Sequence, residues 1–263
     1  MADSRTVADK LFAILDAVRE NKAGRASLSG IASSAGLPVS TAHRLIAEWV
    51  RWGGLVRESD GMYSIGTKLW ETGVTSPSIR NLRAAAMPFL EDLLYATKQH
   101  SQLAILDGLD ALYVEKLSSR NSTALVSRPG IRLPLHATGV GLVLLAHAGE
   151  HLIKEYLSQE LQRYTKNTVT NPSDIRQRLG TIRVNGFVRV EEELHHGVLS
   201  IAAPVRDRAG TTIAAMSIVV PVSESNRPSL ETLVQWGAQG TSRMLGYRRG
   251  DSRFRWLEER AVS

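Results

Sequence analysis

Residues 27–65 constrain this chain more than any other stretch, because the spacing of their apolar side chains fits two helical segments and then a hairpin. Ser27 stands where it can N-cap a helix whose apolar positions are Leu28, Ile31, Ala32 and Ala35, spaced i, i+3, i+4, i+7. Gly36 follows as a positive-φ cap and Pro38 pre-sets the first turn of the next helix. That helix is predicted to bury Ala42, Leu45, Ile46, Trp49 and Val50, while Ser40, Thr41, His43, Arg44, Ala47 and Arg51 lie on its other side. Gly53 and Gly54 end it. Leu55 to Glu58 and Met62 to Ile65 then flank the turn Ser59, Asp60, Gly61, which reads as a two-stranded hairpin. Two short helices, a tight turn and a hairpin make a winged helix-turn-helix. An apolar helix face opposed by short donors and an Arg suits the DNA major groove.

The remaining bounds are broader. At 263 residues, two domains are the better expectation. The chain has 0 Cys, which excludes disulfides, cysteine zinc fingers and thiol catalysis. Neither an apolar signal core nor a membrane-length apolar run is present, so a soluble, cytoplasmic protein is expected. The net charge of +6 favours polyanionic partners, but residues 1–75 hold 9 basic against 8 acidic side chains. The excess therefore lies downstream, notably in a basic tail over 248–260, and the helical pattern rather than the charge locates the DNA reader.

Along the chain, Val7, Leu11, Ile14, Leu15 and Val18 form a helical stripe with Ser4 as its cap, the third helix a winged core needs. Residues 1–66 are assigned to the DNA-binding domain and 67–78 to a linker helix with Leu69 and Trp70 on one face, ended by Ser76, Pro77 and Ser78. Residues 79–250 form the second domain and 251–263 the tail. The second domain opens with a helix over 79–98, bent at Pro88. A hairpin over 101–106 and 111–117 follows, turning at Asp107 and Gly108, and then a mobile loop over 118–129. Helices are predicted over 138–148, 150–157 and 172–185, strands over 187–191, 200–204 and 211–220, and a closing helix capped by Ser229. This order argues an α+β domain built on a sheet.

These segments resemble the IclR family of bacterial transcriptional regulators over most of the chain. In the first domain the resemblance is carried by residues 28–37, by Ser40-Thr41-Ala42-His43-Arg44-Leu45-Ile46 and by Tyr63-Ser64-Ile65-Gly66. In the second it is carried by Leu103-Ala104-Ile105-Leu106, Pro134-Leu135-His136-Ala137-Thr138, Leu144-Leu145-Ala146, residues 186–193, Gly197, Ile201-Ala202-Ala203-Pro204-Val205 and Ala214-Ala215-Met216-Ser217-Ile218. The resemblance implies a one-component regulator: a winged domain that reads a double-stranded DNA operator, joined to a GAF-like mixed α/β domain that binds a small-molecule effector. It implies a homodimer or homotetramer with no cofactor, and a repressor rather than an activator. Two-fold pairing agrees with the physics, since one helix and one wing touch too little DNA for tight specific binding.

Ser40, Thr41, His43 and Arg44 are the base and phosphate candidates, Arg44 foremost because its fork grips a guanine edge or a phosphate. Arg57 on the wing, Ser29 and Arg25 are backbone-contact candidates, with an ordinary solvated surface as the equal alternative. By position, the resemblance puts effector contacts at Gly139, Val140, Glu191, Ser200, Ser217 and Val219. The N–H groups of Gly139 and Val140 at a helix N-terminus suit a carboxylate. Val219 and Leu142 stand where family members carry a hydroxyl and a cation, which favours an effector with an apolar or aromatic body. Ser200 and Ser217 also read as plain strand residues. The acidic run Glu191, Glu192, Glu193 beside His195 and His196 reads as a solvated loop rather than a metal site. The competing functions are an enzyme carrying an attached DNA-binding module, opposed by the lack of a phosphate-cradling loop or a triad spacing, and an effector-free architectural DNA binder.

Overall fold

The computed structural model describes residues 5–21, 23–120, 122 and 127–248. The chain divides into two compact units between Arg80 and Asn81. In the first unit, α1 (Val7–Glu20) starts from a capping box in which Asp9 N donates to the Thr6 hydroxyl and Thr6 N donates to the Asp9 carboxylate. The cap is therefore Thr6; Ser4 lies outside the described residues. A two-residue strand follows, β1 (Arg25–Ala26), too short to leave a period in the sequence. The Ser27 hydroxyl accepts from Gly30 N at 3.1 Å and caps α2 (Leu28–Ser34), and Gly36 turns the chain at φ +60° into α3 (Val39–Trp52). β2 (Leu55–Arg57) and β3 (Tyr63–Ile65) form the hairpin, and β1 pairs with β3 to give a small antiparallel sheet of order β1-β3-β2.

The core of this unit joins Ile14 and Val18 of α1, Ile31 of α2, Ala42, Leu45 and Ile46 of α3, and Leu55 and Tyr63 of the hairpin. The Trp49 indole N–H donates to Leu11 O at 3.1 Å and ties α3 to α1. Two expected core residues are outside it. Val7 is 59% exposed because it is the first residue of its helix, and Val50 is 36% exposed on the side of α3 that faces the hairpin cleft. α4 (Thr67–Val74) buries no residue; Leu69 is half-buried but Trp70 is 66% exposed, so the two do not share a covered face.

The second unit is built on a six-stranded, wholly antiparallel sheet. α5 (Pro77–Thr97) runs without interruption through Pro88 into β4 (His100–Asp107), β5 (Asp110–Leu117) and β6 (Arg132–Pro134). The β4–β5 turn falls on Gly108 and Leu109, one residue later than expected, and β6 was not legible in so short a segment. Next come α6 (Gly139–Ala146), α7 (Glu150–Leu157), α8 (Pro172–Asn185), β7 (Val188–Glu191), β8 (Val198–Arg206), β9 (Thr212–Pro221) and α9 (Leu230–Met244). Ser229 precedes α9, but at φ +70° it makes no side-chain cap. The strand order is β6-β5-β4-β9-β8-β7. Among the described residues no helix is long and apolar enough to cross a membrane.

Register decides which residues share a face. Gln102 pairs with Ser217 and Ser217 with Ala202, while His100 pairs with Val219 and Val219 with Ser200. These side chains point to the α6 side, where Leu142, Val143, Leu145, Ile153 and Ile175 form the core with Ala104, Tyr113, Ala202 and Ala215. The alternate residues point to the opposite side, where the Ser101 hydroxyl donates to Leu90 O of α5 at 2.7 Å. A bulge between Leu103 and Ala104 leaves Val114 without a partner. That extra residue inverts the strand's alternation, so Tyr113 faces α6 while Glu115 reaches Arg83 of α5.

Candidate functional site

α3 presents Ser40, His43 and Arg44 as exposed side chains and Thr41 as a half-buried one. None of the four has a side-chain hydrogen bond or ion pair among the described residues. Pro38 provides no side-chain cap, so the first N–H groups of α3 are also open. Their neighbours are more committed. Arg51 pairs with Glu48 one turn earlier on the same helix, and Arg57 lies 6.0 Å from the Tyr63 ring centroid across the hairpin. Arg25 is paired with Asp60 at 2.7 Å, and Ser29 Oγ lies 3.2 Å from Ser27 Oγ. His43, Ala47, Val50, Arg57 and Tyr63 line a cleft between α3 and the hairpin. The arrangement is a helix edge of unpartnered donors beside Arg57 of the hairpin, which can grip phosphates and base edges.

The second unit holds a cavity over the α6 side of the sheet. From β5 to β7 its floor is Tyr113, Gln102, Val219, Ser200, Val198 and Val190. Leu133, Ala137, Thr138 and Gly139 close one side, Glu192, Glu193, Leu194 and His195 another, and Ser127 contributes from the loop before β6. Thr138 caps α6, its hydroxyl accepting from Gly141 N at 3.1 Å, which leaves the N–H groups of Gly139 and Val140 as the free ends of the helix. Gly139 lies so close to β8 that a Cβ there would stand 2.6 Å from Ser200 Oγ and 3.2 Å from Ala202 Cβ. Burial pushes the Tyr113 hydroxyl well above its ordinary pKa against the opposing effect of its hydrogen bond with Thr138, so it stays protonated.

Of the effector residues expected from the sequence, Gly139, Ser200 and Val219 line this cavity together. Three do not. Val140 packs its side chain into the core, as does Leu142, leaving only its N–H for a ligand. Ser217 shares the cavity's sheet face but is wholly buried and does not line it; its hydroxyl donates to Gln102 Oε1 at 3.4 Å. Glu191 pairs with Leu199, so the two-residue alternation turns it to the other sheet face, and it is exposed. Gln102, Tyr113 and Ser127 carry no local signal of the site, because Tyr113 reaches this face only through the β4–β5 bulge and Ser127 meets Gln102 across 25 positions of sequence.

The acidic run is not a simple solvated loop. Glu193 is 6% exposed and held by Arg178 at 2.7 Å, and Thr168 donates to its carbonyl at 2.6 Å. Glu192 accepts from Gly197 N at 2.6 Å and closes the hairpin between β7 and β8. Among the described residues, no three His, Asp or Glu side chains converge as metal ligands.

The turn before α6 is fixed by a histidine. His136 Nε2 lies 2.9 Å from Gln162 O, so it carries the proton, and Nδ1 accepts from the Tyr156 hydroxyl at 2.7 Å. That same hydroxyl accepts from His136 N at 3.1 Å. Burial lowers the His136 pKa and raises that of Tyr156 to about 12, so both are neutral near pH 7.

Comparison with known proteins covers both units. The IclR helix-turn-helix domain matches residues 7–59, and the bacterial transcriptional regulator IclR C-terminal family matches residues 75–242. The regulator KdgR of Dickeya chrysanthemi is 30% identical, the alignment covering 93% of this chain and 81% of that one. The regulator XynR of Escherichia coli K12 is also 30% identical, over 91% and 96%. An IclR homologue of Microbacterium hydrocarbonoxydans, solved in complex with 4-hydroxybenzoate, superposes with a TM-score of 0.85 at 32% identity, covering 91% of this chain and 99% of its own.

Proposed function

The chain belongs to the IclR family of bacterial transcriptional regulators, and from that premise we propose that it is a cytoplasmic repressor whose grip on a DNA operator is tuned by a small carboxylate-bearing, apolar or aromatic effector. Ser40, Thr41, His43 and Arg44 read the major groove, and Ser29, Arg57 and Arg25 contact the phosphate backbone. The observation that carries this reading is the edge of α3, where Ser40, Thr41, His43 and Arg44 stand side by side without side-chain partners among the described residues. For the effector, support comes from the free N–H groups of Gly139 and Val140 beside the Ser200 hydroxyl in a largely apolar cavity, an anion-favouring helix end. The related M. hydrocarbonoxydans protein holds an aromatic acid. The working species is a homodimer or homotetramer, so that two copies of α3 meet two half-sites. An effector that prefers one arrangement of the two copies shifts operator affinity by the coupling free energy.

The test is binding of purified protein to the DNA flanking its own gene at fixed salt, with and without 4-hydroxybenzoate. Selective binding is expected. Arg44→Ala should weaken it by about 10- to 100-fold, the loss of one bidentate contact of about 1–3 kcal/mol. Equal binding by wild type and variant would remove α3 from the reading face, and no response to any aromatic or aliphatic acid would overturn the effector class.

A further inference from the structure

We propose that Gln102 and Ser127 form a second recognition point in the cavity, one that reads an oxygen acceptor at the end of the effector opposite its carboxylate. The inference rests on the proposed carboxylate at the N-terminus of α6. Gln102 is 2% exposed, yet its side chain lines the cavity. In the structure its Oε1 accepts from the Ser217 hydroxyl at 3.4 Å, and its Nε2 donates to Ser127 Oγ at 2.7 Å. Ser127 is in turn held from behind, its carbonyl accepting from Lys116 Nζ at 2.8 Å.

Counting protons then leaves two donors over. An amide nitrogen carries two protons and a serine hydroxyl one. Among the described residues, the second Gln102 Nε2 proton and the Ser127 hydroxyl proton have no acceptor. Both residues are buried, and a buried donor without an acceptor is destabilising unless a ligand or water supplies one. Leu133, Ala137 and Val219 supply apolar wall in the same cavity, beside the polar Tyr113, Thr138 and Ser200.

The sheet sets the spacing. Gly139 lies against Ser200 and Ala202 of β8, and Gln102 sits in the Ala202–Ser217 row two strands away, roughly 10 Å across the sheet. A ligand held by its carboxylate over β8 would extend across Val219 of β9 and bring its far end to β4. The chemical class is therefore an acid with a second oxygen function, such as a para-oxygenated aromatic acid, rather than a plain hydrocarbon acid.

The experiment is calorimetric titration of the full-length protein with 4-hydroxybenzoate, benzoate and 4-methylbenzoate, repeated on Gln102→Leu and Ser127→Ala. Wild type should bind 4-hydroxybenzoate at least about tenfold more tightly than either analogue, the scale of one buried hydrogen bond. In both variants that preference should collapse to about twofold or less while benzoate still binds, which a mere packing role would not produce. Ser127→Ala carries the test alone if Gln102→Leu fails to fold. Equal wild-type affinities, or a preference that survives in Ser127→Ala, would overturn the second recognition point and leave the carboxylate site standing. Binding of none of the three acids would overturn the aromatic-acid reading and this inference with it.

Discussion

Gly139 meets two constraints at once. Its amide is a free end of α6, and its missing side chain lets the helix approach β8 to within contact of Ser200 and Ala202. In Gly139→Ala the new methyl overlaps Ser200 Oγ, so α6 must withdraw from the strand or the serine must rotate away. We expect a loss of about 1–3 kcal/mol, the usual scale of overpacking, read as a lower melting temperature. Ser200→Gly in the same chain should restore part of it, because the closest clash is removed. Absence of any rescue would place the strain at Ala202. Arg44 shows how differently two site residues are legible. Its exposure and lack of a partner follow from its position on an amphipathic helix, whereas the need for Gly139 arises from a strand some sixty residues further on.

At the scale of elements, the segment from β6 into α6 is held from outside by α7 and the loop beyond it, through Tyr156 and Gln162 bound to His136. The pH dependence has a definite sign. Burial holds the folded-state pKa of His136 below its unfolded value of about 6.5, so protons bind the unfolded chain preferentially. The stability this histidine contributes is complete above pH 6.5 and is lost as pH falls through the folded pKa. His147, also lowered first by burial, adds in the same direction. His136→Gln keeps a donor for Gln162 O and an acceptor for Tyr156 without titrating. Thermal melts should therefore show its deficit against wild type shrinking between pH 7.5 and pH 5, and a constant deficit would contradict the assignment. A second element-level case is the hairpin after β7, where Arg178 neutralises the buried Glu193. Arg178→Ala strands that carboxylate and should destabilise the domain by about 3–5 kcal/mol in denaturant unfolding.

For the whole molecule, two kinds of DNA contact make separable predictions. Arg57 is proposed to meet phosphate and not bases, so Arg57→Ala should weaken specific and non-specific DNA alike and reduce the slope of log affinity against log salt by about one. Loss confined to the specific operator would instead make Arg57 a base reader. Effector binding should also stabilise the folded protein by mass action, about 2.7 kcal/mol at a hundredfold excess over Kd. A melting temperature unmoved by an acid that changes operator affinity would mean that the acid does not bind this chain.

The winged unit was largely determined by its sequence, because its information is local. Ser27, Gly36 and Gly53 act within one turn of where they stand, and the apolar spacing of α2 and α3 fixes which side is covered. What escaped there was β1, two residues whose only signature is a partner nearly forty positions away. The effector cavity was legible as a place but not as a set of residues. The helix-start signal at Thr138 and Gly139 is local, and the resemblance brought Ser200 and Val219 beside it. Strand pairing decided the rest: parity turned Glu191 away from the cavity, while Ser217, on the cavity's own sheet face, is wholly buried against Gln102. One inserted residue opposite Leu103 and Ala104 brought Tyr113 to the α6 face and sent Glu115 to Arg83. A sequence records the spacing along each strand. Only the paired sheet, whose hydrogen bonds set the register, decides which side chains face the same cavity.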